Sequence, residues 1–250
     1  MDFKGSFQDG ENTIFNQGLY DISATQKHRL GTIRRLGDGR VYVYAKAGAV
    51  ALAPGKVTMS VAADAGIKAE AVAAVAAVGD DHVHVTMGST SIFNTANAFK
   101  DGYFWTDDAA AGGDVYKIRG HAAISTGSAG VINLYDRVRV QIEVTNTWSA
   151  LKEIQSGVLV ADTTPSGSLC GVPNVDVTAN YYFWNQVKGP CVVLTDGTVA
   201  IGVGVCLSNG TGGAVEAYAP TTSLKPSLGQ CLSVSATTLY SLINLQIPGY

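Results

Sequence analysis

The sequence predicts an all-β protein, made of hairpin-rich sandwich or barrel-like subdomains behind an extended N-terminal arm. Three observations predict it. Apolar and polar residues alternate in VYVYAK at 41–46, HVHVT at 82–86 and LYSLINLQI at 239–247, the period of a strand with two unlike faces. Turn residues punctuate the runs at Gly37-Asp38-Gly39, Gly79-Asp80-Asp81 and Asp196-Gly197, as hairpins require. Glycine reaches 29 of 250 residues and charged residues only 15%, against roughly 7% and 25% in average domains. Much of the surface is therefore uncharged, as expected where it meets other subunits.

Residues 1–23 read as the arm. Phe3, Phe7, Phe15 and Tyr20 are spaced by Gly, Asn, Gln and Asp with neither helical nor strand period, so the segment cannot bury its own rings. It is either a frayed terminus or a strap whose aromatics dock on a neighbouring subunit. Residues 24–100 are assigned to an N-terminal β subdomain and 101–250 to a larger C-terminal β domain. In the first, Gly37-Asp38-Gly39 turns into a half-buried strand with Val41, Val43 and Ala45 on one side and Tyr42, Tyr44 and Lys46 on the other. Arg29, Arg34, Arg35 and Arg40 make a local basic spot there, which is a solvated sheet face or a contact for an acidic protein neighbour. Residues 62–78 are Ala-rich with high helix propensity, yet Val72, Val75 and Val78 and the flanking β signals favour extended structure.

In the second, Tyr103-Phe104-Trp105 echoes Tyr182-Phe183-Trp184. Strand signals continue from 131 to 144, and 147–152 reads as a short helical turn. Residues 181–206 look like the organising stretch. Asp196-Gly197 suits a type I′ turn, which pairs 191–194 with 199–203. The segment 239–247 supplies a terminal strand.

Catalytic signatures are missing from the sequence: no GxSxG, GxxxxGKS, GxGxxG or HExxH occurs. No cofactor or metal is called for. His82 and His84 share one strand face, but a metal needs three or four ligands, and two exposed histidines are the simpler reading. Asp107-Asp108 in a Gly-rich loop reads as turn chemistry. Cys170, Cys191, Cys206 and Cys231 form no CxxC and read as reduced, buried thiols. The net charge of −3, from 17 basic and 20 acidic residues, shows no basic stripe for nucleic acid. The most apolar region, 69–78, is too short to span a bilayer.

Three patches carry a family resemblance. KHRLGTIRRLGDGRVYVYAKAG (27–48), the run from Ala96 to Tyr103, and Asn180 to Trp184 followed by Gly189-Pro190 and Asp196-Gly197-Thr198 resemble tailed-bacteriophage virion proteins of the capsid decoration or cement type. The resemblance implies a non-enzymatic protein, synthesised in the host cytoplasm, that binds the major capsid protein on the outer surface of the head. It also implies self-association, commonly as a homotrimer, without nucleic acid or membrane. The candidate interface is Phe3, Phe7, Phe15, Tyr20, Arg34 and Arg35. At about 25 cal/mol per Å² and roughly 150 Å² per ring, a few anchored aromatics give several kcal/mol per arm, and three arms add avidity. Two other readings stand beside it. One is a tail or baseplate component; the other is a carbohydrate-binding module using Trp105, Trp184 or Tyr103 as stacking platforms.

Overall fold

The computed structural model describes residues 15–62, 67–88, 93–108, 113–164, 166–219, 225–234 and 238–250. The protein is all-β, as the alternation predicts. Among the described residues no helix is long and apolar enough to cross a membrane. Two compact units divide the chain: Ala63–Glu153 forms one, and the segments before and after it, Met1–Ala62 and Ile154–Tyr250, form the other. The division expected near residue 100 is thus corrected: residue 100 lies inside the inserted unit, and the flanking segments make one body.

Three strands precede the insertion: β1 (Ile33–Arg35), β2 (Val41–Ala47) and β3 (Thr58–Met59). The inserted unit holds β4 (Glu70–Ala74), β5 (His82–Thr86), β6 (Tyr103–Thr106), β7 (Val115–His121), β8 (Ala129–Leu134) and β9 (Thr147–Leu151). After it come β10 (Ser156–Val160), β11 (Leu169–Pro173), β12 (Tyr182–Leu194) and β13 (Gly204–Leu207), then β14 (Val215–Ala217), β15 (Gly229–Cys231) and β16 (Tyr240–Gln246).

The inserted unit is a closed six-stranded barrel in the order β4-β5-β8-β7-β6-β9. β6, β7 and β8 form a meander and β9 returns beside β6, a Greek-key connection. The β4–β5 turn is built locally: Gly79 takes φ 99°, and the Asp80 carboxylate accepts the Ala77 N–H at 2.8 Å. Alternate residues point inward, so Val83, Val85, Phe104, Tyr116, Ile118 and Ile132 fill the barrel. Each such side chain contributes roughly 1.5–3 kcal/mol by leaving water. Trp148 lies parallel to Phe104 at 5.5 Å and donates its indole N–H to the Ala71 carbonyl. Trp148 therefore sits on a strand, where a helical turn was expected; inward Trp148 and Ala150 seal the barrel. Extended structure in the Ala-rich stretch is present at β4, while 63–66 lie outside the described residues. Strand character expected through 144 stops at Leu134, apart from an Ala76–Ile142 bridge.

In the other unit, β12 is the spine. Its first half pairs with β2 and β11, its second half with β16. β2, β10, β3, β11 and β12 close a ring, because β12 returns to β2. Beyond β16 the sheet continues through β15, β13 and β14. Gly189, at φ 87°, follows Lys188, the last β12 residue paired with β2 and the first paired with β16. The Gly189-Pro190 pair thus marks a change of partner within one strand.

Two sequence expectations are corrected here. Residues 191–194 pair with β16 and not with 199–203. Gly197 has φ 84°, but Asp196 is not among the residues of positive φ, so the type I′ geometry, which needs both, is not formed. Instead the Asp196 carboxylate accepts the Ser208 hydroxyl at 2.6 Å, and Thr195 bridges Val215. Likewise β2 is buried on both faces: Tyr42, Val43, Tyr44 and Ala45 are all inaccessible, because the arm side is covered as well.

Candidate functional site: an aromatic seat and the pocket beside it

Residues 15–23 of the arm lie on their own chain. Phe15 meets Trp184 edge-on at 5.2 Å and carries the Arg34 guanidinium at 4.6 Å over its ring. His28 fits between Phe15, Tyr44 and Trp184, at 5.7, 5.1 and 5.3 Å. Burial, then the nearby Arg34 cation, hold its pKa below the usual value. The neutral ring accepts the Asn16 N–H on Nε2.

Gln17 is the fastening. Its Nε2 donates to the carbonyls of Asp21 and Tyr182, its Oε1 accepts the Tyr44 hydroxyl, and its carbonyl accepts the Trp184 indole N–H. Arg34 adds a bond from Nη1 to the same carbonyl. Ser23 then bridges Tyr182, so the arm's last residues run as a strap across β2 and β12.

Of the six predicted interface residues, Phe15 and Arg34 thus meet over Trp184. Tyr20 is 54% exposed and its hydroxyl accepts Arg40 Nη1 at 3.1 Å. Arg35 is exposed on β1. Phe3 and Phe7 lie outside the described residues. Gln17 and His28 went unassigned, since a lone amide or imidazole carries no sequence signal, whereas Arg40 belongs to the basic spot read beside its turn.

Tyr20 and Arg40 open onto a pocket of about 490 Å³. Its apolar wall is Pro54, Pro190, Val192, Tyr240 and Leu242, and its polar groups are Arg40, Asn174, Gln186 and the Cys191 thiol. Gly55, at φ 72°, lets the Tyr240 ring press against the main chain, where a Cβ would collide with it. Arg40 is braced by Asp38 at 2.7 Å and by the Tyr20 and Tyr42 hydroxyls. Asn174 donates to the Tyr42 hydroxyl and to Gln186 Oε1. Burial pushes the Cys191 thiol up to about 12. All four cysteines are buried thiols outside any disulfide.

Val192 and Leu242 face each other across β12 and β16. With Tyr240 they leave 53%, 36% and 48% of their surface in water. Together they form a small exposed apolar patch on one face of the β12–β16 pair.

The remaining candidates have ordinary surroundings. His82 and His84 stand edge-on at 5.2 Å, with Asp81 beside His82. No group of three or more His, Cys, Asp or Glu among the described residues is placed to hold a metal. Asp107 accepts the Trp105 indole and the Ser149 hydroxyl, and Asp108 accepts the Thr147 N–H. Trp184 is 1% exposed and offers no stacking platform; the Tyr103 ring is occupied by Lys117 at 4.0 Å. Compared with known protein families, curated proteins and solved structures, the chain matches none.

Proposed function

We propose that the chain is a non-enzymatic structural protein of a tailed-phage virion, of the capsid decoration or cement type. It binds the major capsid protein on the outer face of the head and associates with copies of itself as a homotrimer. The observation that carries this reading is the exposed apolar pair Val192–Leu242 with Tyr240, placed beside a strapped aromatic arm. Two anchoring features on one unit suit a protein that joins neighbours, because each buried ring contributes by area and several linked contacts multiply. Low charge favours close protein contact over nucleic-acid binding. The family resemblance of the 27–48 and 180–198 segments supplies the virion address.

The test is the molar mass in solution, followed by co-sedimentation with undecorated heads and, separately, with assembled tails. A trimer that pellets with heads is expected. Pelleting with tails alone moves the address to a tail or baseplate component. A monomer that stays in the supernatant with both overturns the reading.

A further inference from the structure

We propose that His28 is an acid-sensitive latch: as a neutral ring it holds the strap, residues 15–23, on β2 and β12, and its protonation lifts the strap and uncovers the aromatic seat beneath. The inference needs no partner and stands apart from the virion reading.

Four segments build the latch. Phe15 comes from the strap, Arg34 from β1, Tyr44 from β2 and Trp184 from β12. The His28 ring stands 5.7 Å from Phe15, 5.1 Å from Tyr44 and 5.3 Å from Trp184. Its Nε2 accepts the main-chain N–H of Asn16 at 3.2 Å, on the residue between Phe15 and Gln17. A ring nitrogen that accepts carries no proton, so this bond exists only while the imidazole is neutral. Protonation sets a donor against a donor, and the Asn16 N–H loses its partner.

Charge adds a second penalty. The Arg34 guanidinium lies 4.6 Å over Phe15 and 5.6 Å over Trp184, so ring faces that would receive an imidazolium already hold a cation. Lys27 and Arg29 flank His28 in the chain, and Lys46 lies over Tyr182, whose ring stacks on Tyr44. The acids close by in sequence are engaged elsewhere. Asp21 accepts the Gly18 N–H inside the strap, and Asp38 pairs with Arg40. Burial pushes the Tyr44 phenol up, so it stays neutral. A protonated His28 therefore meets cations and neutral rings.

The other fastenings do not titrate between pH 5 and 8. They are the amide and carbonyl bonds of Gln17 and the Ser23–Tyr182 main-chain pair. Histidine is the side chain whose ordinary range falls in that window. Burial, then Arg34, keep the seated ring below 6.5, the value to which a released ring returns. The lifted strap thus binds more protons in acid. The seated strap is fully favoured above 6.5 and loses ground as pH falls through that value toward the seated pKa. Between pH 7.5 and 5.5 this linkage raises strap opening by at most about ten-fold.

The experiment follows the full chain by nuclear magnetic resonance. The Trp184 indole N–H, bonded to the Gln17 carbonyl, reports the strap through its hydrogen-exchange protection, taken against free indole at the same pH. Protection is expected to fall several-fold from pH 7.5 to 5.5, up to the ceiling of about ten-fold. Unchanged protection overturns the latch. His28→Gln offers Asn16 an acceptor without a charge, and in it the pH dependence should vanish; a fall that persists there belongs to another group and also overturns the latch.

The imidazole resonance of His28 gives a reading independent of that variant. It should titrate below 6.5 in the wild-type protein and move up toward that value in Gln17→Ala, where the strap is loosened. The same midpoint in both proteins would mean that ring and strap are uncoupled, and it refutes the proposal even where His28→Gln fails to fold.

Discussion

The indole N–H of Trp184 donates to the main-chain carbonyl of Gln17 at 3.2 Å, across 167 residues of sequence. This bond joins the strap to the spine strand in a site closed to water. Around it the Gln17 amide meets three further partners, so one side chain fixes where the arm leaves the body.

Gln17→Ala is therefore expected to release the strap. The mutation leaves the buried Tyr44 hydroxyl without its acceptor and the Tyr182 carbonyl without the Gln17 donor, a loss of about 1–3 kcal/mol for an unsatisfied buried group. The body keeps its own core, so far-ultraviolet dichroism stays unchanged. Trypsin should cut faster at Lys27 and Arg29, and tryptophan emission should shift to the red. An unchanged cleavage rate would show that the rings alone hold the strap.

The parts of this architecture legible in the sequence are those with local causes. The β1–β2 hairpin, β5 and β16 announce themselves through a turn or strict alternation, and β16 shows buried and exposed residues in perfect succession. The pairing of β12 with β16 is carried by residues about fifty positions apart and has no local mark. The repeated Tyr-Phe-Trp triplet shows the limit well. Of the triplet in β6 only Phe104 is buried and Trp105 is partly exposed, whereas in β12 both Phe183 and Trp184 are buried because strap and sheet cover opposite faces. Identical residues thus acquire different exposure from what lies above them. At the site, the rings and arginines were legible as residue types; the pocket, which joins six separated segments, was not.

The cysteines should be inert in the folded protein. Thiolate is the reactive form, and burial raises the Cys191 pKa to about 12, so almost none is ionised at pH 8. Cys170 and Cys231 are likewise buried and donate to main-chain carbonyls. Labelling with a soluble thiol reagent is expected to be negligible in native protein and to reach all four sites in denaturant. Rapid native labelling of Cys191 would mean that the pocket opens more widely than its 3% exposure implies.

Acid should weaken the barrel through His121. Its Nε2 accepts the Phe99 N–H at 3.1 Å, and Nδ1 lies 2.7 Å from the Ala122 carbonyl, so the ring is neutral with its proton on Nδ1. Burial lowers its pKa below 6.5, partly offset by the Ala122 bond. The unfolded chain then binds more protons than the folded one below 6.5, and stability rises with pH in that window. The contribution is complete above 6.5 and is lost as pH falls through that value toward the folded pKa. Urea midpoints at pH 7.5 and 5.5 should therefore differ, with the lower value in acid. His121→Gln should reduce the difference; the part that remains is expected from His28, whose pKa is depressed in the same direction. An unchanged difference in the variant would remove His121 from the account.

Gly229 and Gly197 separate two reasons for glycine. Both have positive φ, 130° and 84°, which costs an L-residue roughly 1–2 kcal/mol. At Gly197 an added Cβ meets nothing within 4 Å, whereas at Gly229 it would overlap the Asn244 carbonyl of the paired strand. Gly229 sits in β15 between β13 and β16, where that carbonyl cannot withdraw without breaking the ladder. Gly197→Ala should thus cost only the conformational part. Gly229→Ala should add the roughly 1–3 kcal/mol of an overpacked interior, and its urea midpoint should fall clearly below that of Gly197→Ala. Equal midpoints would mean that β15 shifts to admit the methyl group, and that the close approach of β15 and β16 is not what requires glycine there.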